Sequence, residues 1–342
     1  MKSNYQQKYP CRCCFIPEIV IDALNKAGDH IEKPNVQMDK SIRMRRSSMS
    51  LMASLLPATP GTSARRIFDS QNTGSTRLKI VREEGAMSLT DADANAAYDN
   101  GGLVREYFKT ILGWNSINDD GLDLIFNVHY MVKYNNAFWD GEQMTFGDGD
   151  GVNFQNFVRA LDVTGHELTH GIVQYTANLE YKGQSGALNE HFADVFGTAV
   201  KQWAAKETEK TANWLMGEIC TMGKYKGKAI RSIKEPANAA IVLSAQPEHM
   251  SKIFKGTTDN GGVHVNSGIP NKAFYLVSMD IGTQRAAKLW FETLKTLKPT
   301  SKFTDLYKAL TKTAKTLVTD KTLPTTAQMS IDKAFKTVGI IK

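Results

Sequence analysis

The chain has 342 residues, 42% of them apolar and 23% charged, with a formal charge of +7. That length and apolar content suit one large or two ordinary cores and exclude a disordered chain. No apolar run reaches the roughly 18 residues of a membrane span, and residues 1–14 show no apolar stretch behind their lysine, so neither a membrane protein nor a standard secretory precursor is expected.

The charge sits at the front: residues 1–66 hold eleven Lys/Arg against five Asp/Glu. The rest has no basic character to match a nucleic-acid partner, and none is expected. Cys11, Cys13 and Cys14 crowd together, far in sequence from Cys220. Such spacing predicts reduced thiols instead of a disulfide framework.

In chain order, residues 14–24 supply one extended piece and a helical turn or two. Residues 42–66, rich in Ser, Pro, Gly and Arg without a period, predict a linker. Over residues 92–112 the spacing of Ala96, Ala97, Leu103, Val104, Tyr107, Phe108 and Leu112 predicts an amphipathic helix, broken at Asn100-Gly101-Gly102. Residues 123–134 partly alternate and are rich in β-branched and aromatic side chains, which predicts a strand. The Gly-Asp repeat at 147–151 predicts a tight loop. After residue 153 helical patterns dominate, with no further strand expected. The sum is an α+β chain with a β-containing first half and a helical second half.

His166-Glu167-Leu168-Thr169-His170 fits the pattern H-E-x-x-H. On a helix two histidines at i and i+4 share one face, so both imidazoles can meet one zinc ion while the intervening Glu points toward the open coordination position. A catalytic zinc also needs a third protein ligand. Residues 186–197 predict a second helix carrying Glu190 and Asp194 on one face, with His191 turned about 100° away from Glu190. A third block, residues 259–268, has glycines that permit a tight turn presenting His264, with Asp259 placed to orient the imidazole.

These three blocks together resemble the thermolysin family of zinc endopeptidases, and the similarity runs almost continuously from about Arg66 to the C-terminus. The resemblance implies a two-lobe fold: a β-rich N-terminal lobe over 63–172 that ends in the helix of His166 and His170, and a helical lobe over 173–342. It implies one zinc ion held by His166, His170 and Glu190, with Asp194 accepting a ring N–H from a ligand histidine. Glu167 would act as general base; Tyr181 and His264 would stabilise the oxyanion, and Asp259 would support His264. Tyr134-Asn135-Asn136-Ala137-Phe138-Trp139 looks like the family's edge strand, in which Asn136 and Ala137 bind substrate main chain. Arg231 matches a residue that binds a substrate carbonyl. Phe154, Phe157, Val163 and Ile230 match the pocket for the residue just after the cut, so apolar side chains are expected there.

The short N-terminal segment, with Phe15-Ile16-Pro17, is similar to the protealysin-like branch, although Glu18 stands where a second proline is usual. By that similarity residues 1–62 are a propeptide and linker that inhibit the enzyme intramolecularly and are cut off within 42–66. The family's two-ion calcium site keeps Asp162 and Glu218 here, but Lys201, Asn213 and Leu215 replace expected carboxylates. Three lost carboxylates and an added ammonium disfavour a hard dication; the site is expected to be absent, with Lys201 paired to Asp162 or Glu218. Expected partners are protein and peptide substrates, without nucleic acid or membrane, for a monomer that is secreted by a non-standard route or, alternatively, stays in the cytoplasm. Two rivals stand beside this reading. One is a zinc aminopeptidase, which Gly85-Ala86-Met87-Ser88-Leu89 echoes without the amine-binding Glu. The other is a non-catalytic binding protein on the same fold.

Overall fold

The computed structural model describes residues 14–26, 28–29 and 61–342. Cys11, Cys13 and residues 42–60 of the expected linker lie outside them. The first half carries a five-stranded mixed sheet. Strand β1 (Arg65–Asp69) pairs antiparallel with β2 (Lys79–Glu83) and parallel with β3 (Leu124–Val128). β3 runs parallel to β5 (Met144–Phe146), and β5 pairs antiparallel with β4 (Ala137–Trp139). The order β2-β1-β3-β5-β4 leaves β4 at an edge, with main-chain groups open to a further strand.

Four expectations change. The Asn-Gly-Gly at 100–102 does not break helix α2, which runs from Ala92–Tyr107 and continues as a π-helical turn, Phe108–Leu112. A Cβ on Gly101 would lie 2.5 Å from the Phe126 ring, and one on Gly102 would lie 2.4 Å from Arg65 Nη1. These glycines let the helix approach the sheet, which is a tertiary demand. The strand expected over 123–134 stops at Val128, because His129, Met131 and Lys133 all take positive φ. Arg65 and Arg66 belong to β1, not to a linker, and pair with Glu84 and Asp123. Beyond residue 153 a small two-stranded sheet does occur, between β6 (Leu215–Met216) and β7 (Arg231–Ser232).

The second half is helical: α3 (Leu161–Tyr175), α4 (Gly183–Ala204), α5 (Gly268–Ile281), α6 (Thr283–Leu294), α7 (Phe303–Thr319) and α8 (Ala327–Thr337). In α7 the buried residues Leu306, Leu310, Ala314 and Leu317 follow the helical period, so one stripe packs inward. Helix α3 is buried on every side from Asp162 to Val173. It crosses α4 at a glycine contact: a Cβ on Gly165 would lie 3.0 Å from Gly197 Cα, and one on Gly197 would lie 2.5 Å from the Asp162 carbonyl. This close approach brings the two motif-bearing helices into reach of each other.

The N-terminal segment lies on the edge strand. Cys14 forms an antiparallel bridge with Phe138, and Glu18–Lys26 form helix α1. Asp29 anchors its end, with Lys224 Nζ 2.7 Å away and the Tyr225 hydroxyl donating to its carboxylate. One extended piece followed by about two helical turns is the layout expected for residues 14–24.

Candidate active site

His166 and His170 sit one turn apart on α3, and Glu190 faces them from α4. His166 Nε2 and His170 Nε2 are 3.1 Å apart. Glu190 Oε2 lies 3.5 Å from His166 Nε2, and Oε1 lies 3.4 Å from His170 Nε2. All three residues are buried.

The outer nitrogens decide what these atoms are. His166 Nδ1 lies 2.9 Å from Asp194 Oδ1, and His170 Nδ1 lies 2.8 Å from Asn189 Oδ1. Both neighbours are acceptors, so each Nδ1 carries the proton and each Nε2 presents a lone pair inward. Glu190 Oε2 is buried with no hydrogen-bond partner. Acceptors facing acceptors repel unless a cation lies between them. Ligand atoms about 2.1 Å from a tetrahedral zinc stand about 3.4 Å from one another, close to the spacings found here. Nitrogen and carboxylate donors together suit zinc better than a hard dication.

Further groups complete the pattern. Trp139 N–H, on β4, donates to Glu167 Oε2 at 3.0 Å and fixes the carboxylate next to the histidines. The turn from Asp259 to Gly262 is left-handed at four successive residues, with φ of 53°, 50°, 84° and 80°. It delivers His264, whose Nδ1 lies 2.6 Å from Asp259 Oδ1 and whose Nε2 lies 3.1 Å from the Tyr181 hydroxyl. Tyr181 also donates to Glu190 Oε1. A Cβ on Gly186 would lie 2.4 Å from Val263 and 2.8 Å from the Tyr181 carbonyl carbon, so this glycine lets both loops close over the start of α4.

Burial alone would lower the His264 pKa, but the carboxylates of Glu190 and Asp259 outweigh it and raise it. Burial wins at His166, whose pKa is lowered despite Asp194. The Asp194 carboxyl is pushed up by burial but held down more strongly by Arg231 and His166 together, so its pKa falls. Arg231 Nε and Nη2 reach Asp194 Oδ1 at 3.1 and 2.9 Å.

The expected substrate-binding residues hold the protein's own N-terminal segment. Phe15 N–H donates to the Ala137 carbonyl at 3.1 Å. Ile16 N–H donates to Asn136 Oδ1 at 2.9 Å, and Asn136 Nδ2 donates to the Ile16 carbonyl at 3.0 Å. Arg231 Nη1 donates to the Phe15 carbonyl at 2.8 Å. Phe154, Phe157, Val163 and Ile230 are fully buried in the same cluster as Phe15. A Cβ on Gly217 would lie 2.7 Å from both the Phe15 ring and Ile230.

The structure thus brings Asn136, Ala137 and Arg231 onto residues 15–16, with Ile230 near the Phe15 ring across Gly217, beside the group of His166, His170, Glu190, Tyr181 and His264; Phe154, Phe157 and Val163 are buried in the core that Phe15 joins. Asn189, Trp139, Asn271 and Gly217 were not expected. Asn189 was within reach, since it precedes Glu190 on the same helix; the others act through long-range contacts that carry no local signal. His191, set aside on helical rotation, faces away and bonds Asn271 Oδ1 at 2.7 Å and Trp290 Nε1 at 2.7 Å. Cys14 packs among Tyr130, Tyr134 and Phe138, and both Cys14 and Cys220 are buried. Lys201 Nζ lies 3.0 Å from Asp162 Oδ2, the pairing expected in place of a calcium ligand set.

The thermolysin metallopeptidase catalytic domain matches residues 50–174, and the thermolysin metallopeptidase alpha-helical domain matches residues 177–340. The chain belongs to the thermolysin family of metallopeptidases. This thermolysin-family chain is 43% identical over 257 residues to an extracellular metalloprotease of Pectobacterium carotovorum subsp. carotovorum, covering 72% of this chain and 74% of that one. It is 39% identical over 261 residues to a thermolysin of Alicyclobacillus acidocaldarius subsp. acidocaldarius, covering 73% of this chain but only 46% of that one. The solved precursor of protealysin from Serratia proteamaculans superposes with a TM-score of 0.81 at 34% identity, over 96% of this chain and 100% of that chain. The family is zinc-dependent, and the enzyme is a thermolysin-like metalloprotease of the protealysin-like kind.

Proposed function

We propose that the chain is a zinc endopeptidase made as an inhibited precursor, with His166, His170 and Glu190 as the zinc ligands. The observation that carries this is the convergence of His166 Nε2, His170 Nε2 and the Glu190 carboxylate at 3.1–3.5 Å, lone pairs inward, beside the Glu167 carboxylate. Zinc in that place supplies a Lewis acid that brings the pKa of water toward about 7 and polarises a carbonyl.

The chain's own groups do the rest. Glu167, held by Trp139 N–H, takes the proton of the attacking water and returns it to the leaving amine. Tyr181 and His264 donate to the oxyanion, and Asp259 keeps His264 oriented. Asp194 and Asn189 fix the tautomers of the ligand histidines. Asn136 and Ala137 hold substrate main chain, Arg231 holds the carbonyl of the residue after the cut, and Phe154, Phe157, Val163 and Ile230 select an apolar side chain there.

The cleft holds Cys14, Phe15 and Ile16, interior residues of a continuous chain, which supports an endopeptidase over an aminopeptidase. Residues 1–62 form the propeptide and linker, 63–172 the β-rich lobe and 173–342 the helical lobe, with removal of the first by a cut within 42–66. The Asp162–Lys201 pair supports the reading that the two-ion calcium site is absent. Export fits the extracellular relative. The chain acts as a monomer on proteins and peptides. Casein hydrolysis, assayed with and without o-phenanthroline and beside a metal determination, tests this: activity that survives removal of the metal refutes it. Full activity of the intact chain, with no gain on deleting residues 1–62, refutes the inhibited precursor.

A further inference from the structure

The N-terminal segment is seated with the polarity and register of a substrate, and we infer that the Cys14–Phe15 peptide bond is itself hydrolysed by the site it blocks. The inference rests on the endopeptidase reading and names the first bond the enzyme cuts in its own chain.

Three contacts fix the register. Phe15 N–H donates to the Ala137 carbonyl at 3.1 Å, and its carbonyl accepts from Arg231 Nη1 at 2.8 Å. Its ring packs edge-on to His166, with centroids 5.3 Å apart, and lies under the Arg231 guanidinium at 4.5 Å. The pocket reaches this ring because residue 217 is a glycine: a Cβ there would stand 2.7 Å from Phe15 Cε1. Phe15 thus fills the seat of the residue after the cut, and Ile16, clasped by both ends of the Asn136 amide, fills the next.

Polarity follows from the edge strand. Cys14 bridges antiparallel to Phe138, so the segment runs toward Trp139 in its N-terminal direction. Trp139 N–H is the donor that holds Glu167. The peptide bond immediately before Phe15 therefore lies between the side-chain pocket and the general base, which is where a scissile bond belongs. Hydrolysis there adds one water, leaving a carboxylate on Cys14 and an ammonium on Phe15.

Such a cut does not open the cleft. The Phe15 fragment keeps its bonds to Asn136, Ala137 and Arg231, and it is tied down by α1 and by Asp29 at Lys224 and Tyr225. The segment is thus both substrate and retained product, and onset of activity is separate from this first cut.

The test is terminal sequencing and intact-mass analysis of the full zinc-loaded chain over time, at several dilutions, beside full-length Glu167→Gln. The expected result is a new N-terminus at Phe15 that appears at a rate independent of dilution, precedes casein hydrolysis, and is absent from Glu167→Gln. A wild-type chain that develops casein activity with Cys14–Phe15 intact overturns this inference and leaves the endopeptidase reading standing. Equal cleavage of Glu167→Gln at this bond also overturns it. A chain with neither zinc nor casein activity instead overturns the endopeptidase reading.

Discussion

Arg231 holds the main-chain carbonyl of Phe15 at 2.8 Å while the same guanidinium clasps Asp194, which in turn bonds His166 Nδ1 at 2.9 Å. One buried cation thus joins the blocking segment to the histidine pair. Truncating Phe15 removes its apolar seat and leaves this carbonyl contact loosely held. Burial of a Phe side chain is worth about 3–5 kcal/mol against alanine. Full-length Phe15→Ala should therefore show casein hydrolysis after a lag at least about tenfold shorter than wild type. An unchanged lag would mean that Phe15 does not hold the segment in place.

Asn189 accepts the Nδ1 proton of His170 at 2.8 Å and so keeps Nε2 directed inward. Replacing such a partner typically weakens metal binding about 10–100-fold. Asn189→Ala should lose zinc to a competing chelator at a correspondingly lower concentration, with its circular dichroism unchanged. Equal zinc affinity would assign Asn189 to packing alone.

Lys201 Nζ is 3.0 Å from Asp162 Oδ2, and Gly217 N–H donates to the same oxygen at 3.2 Å. Lys201→Met leaves a buried carboxylate without its cation, at a cost of about 2–4 kcal/mol in urea unfolding. Adding calcium to wild type should leave the thermal midpoint unmoved, whereas a calcium-dependent rise abolished by Asp162→Asn would restore the lost ion site.

His129 ties two loops together, with Nδ1 2.9 Å from Asp148 Oδ2 and Nε2 3.1 Å from Asp91 Oδ2. The Asp148 hydrogen bond, outweighing partial burial, raises its pKa to about 9. A folded pKa above the unfolded value means that protonation stabilises the fold. The contribution is complete below about pH 6.5 and is lost as pH rises toward 9. After discounting for solvent screening it amounts to about 1–2 kcal/mol. The thermal midpoint should fall by a few degrees between pH 6.5 and 9, and His129→Asn should flatten that slope; an equally steep slope in the variant would clear His129 of the effect.

Local spacing made the metal site readable. His166 and His170 lie within five residues, and Glu190 with Asp194 within another five, so helical geometry alone placed each pair on one face. What joins the pairs is the Gly165–Gly197 crossing, and two glycines 32 positions apart carry no local signal. The same limit explains Asn100-Gly101-Gly102: as a local pattern it reads as a turn, yet Phe126 and Arg65 need the space that side chains would fill. Residues 123–134 have strand composition throughout, but His129 is drawn out of the sheet by Asp91 and Asp148, carboxylates from two separate loops. Asn136, Ala137 and Arg231 were placed by family resemblance, and their shared contact with residues 15–16 required the folded chain.

The most direct test is zinc content of the purified, folded chain by elemental mass spectrometry, paired with casein hydrolysis after maturation. The predicted result is one zinc per chain, with hydrolysis abolished by o-phenanthroline and restored by added zinc. A folded chain that binds no zinc, or one that hydrolyses casein equally well once stripped of metal, would contradict the role given to His166, His170 and Glu190.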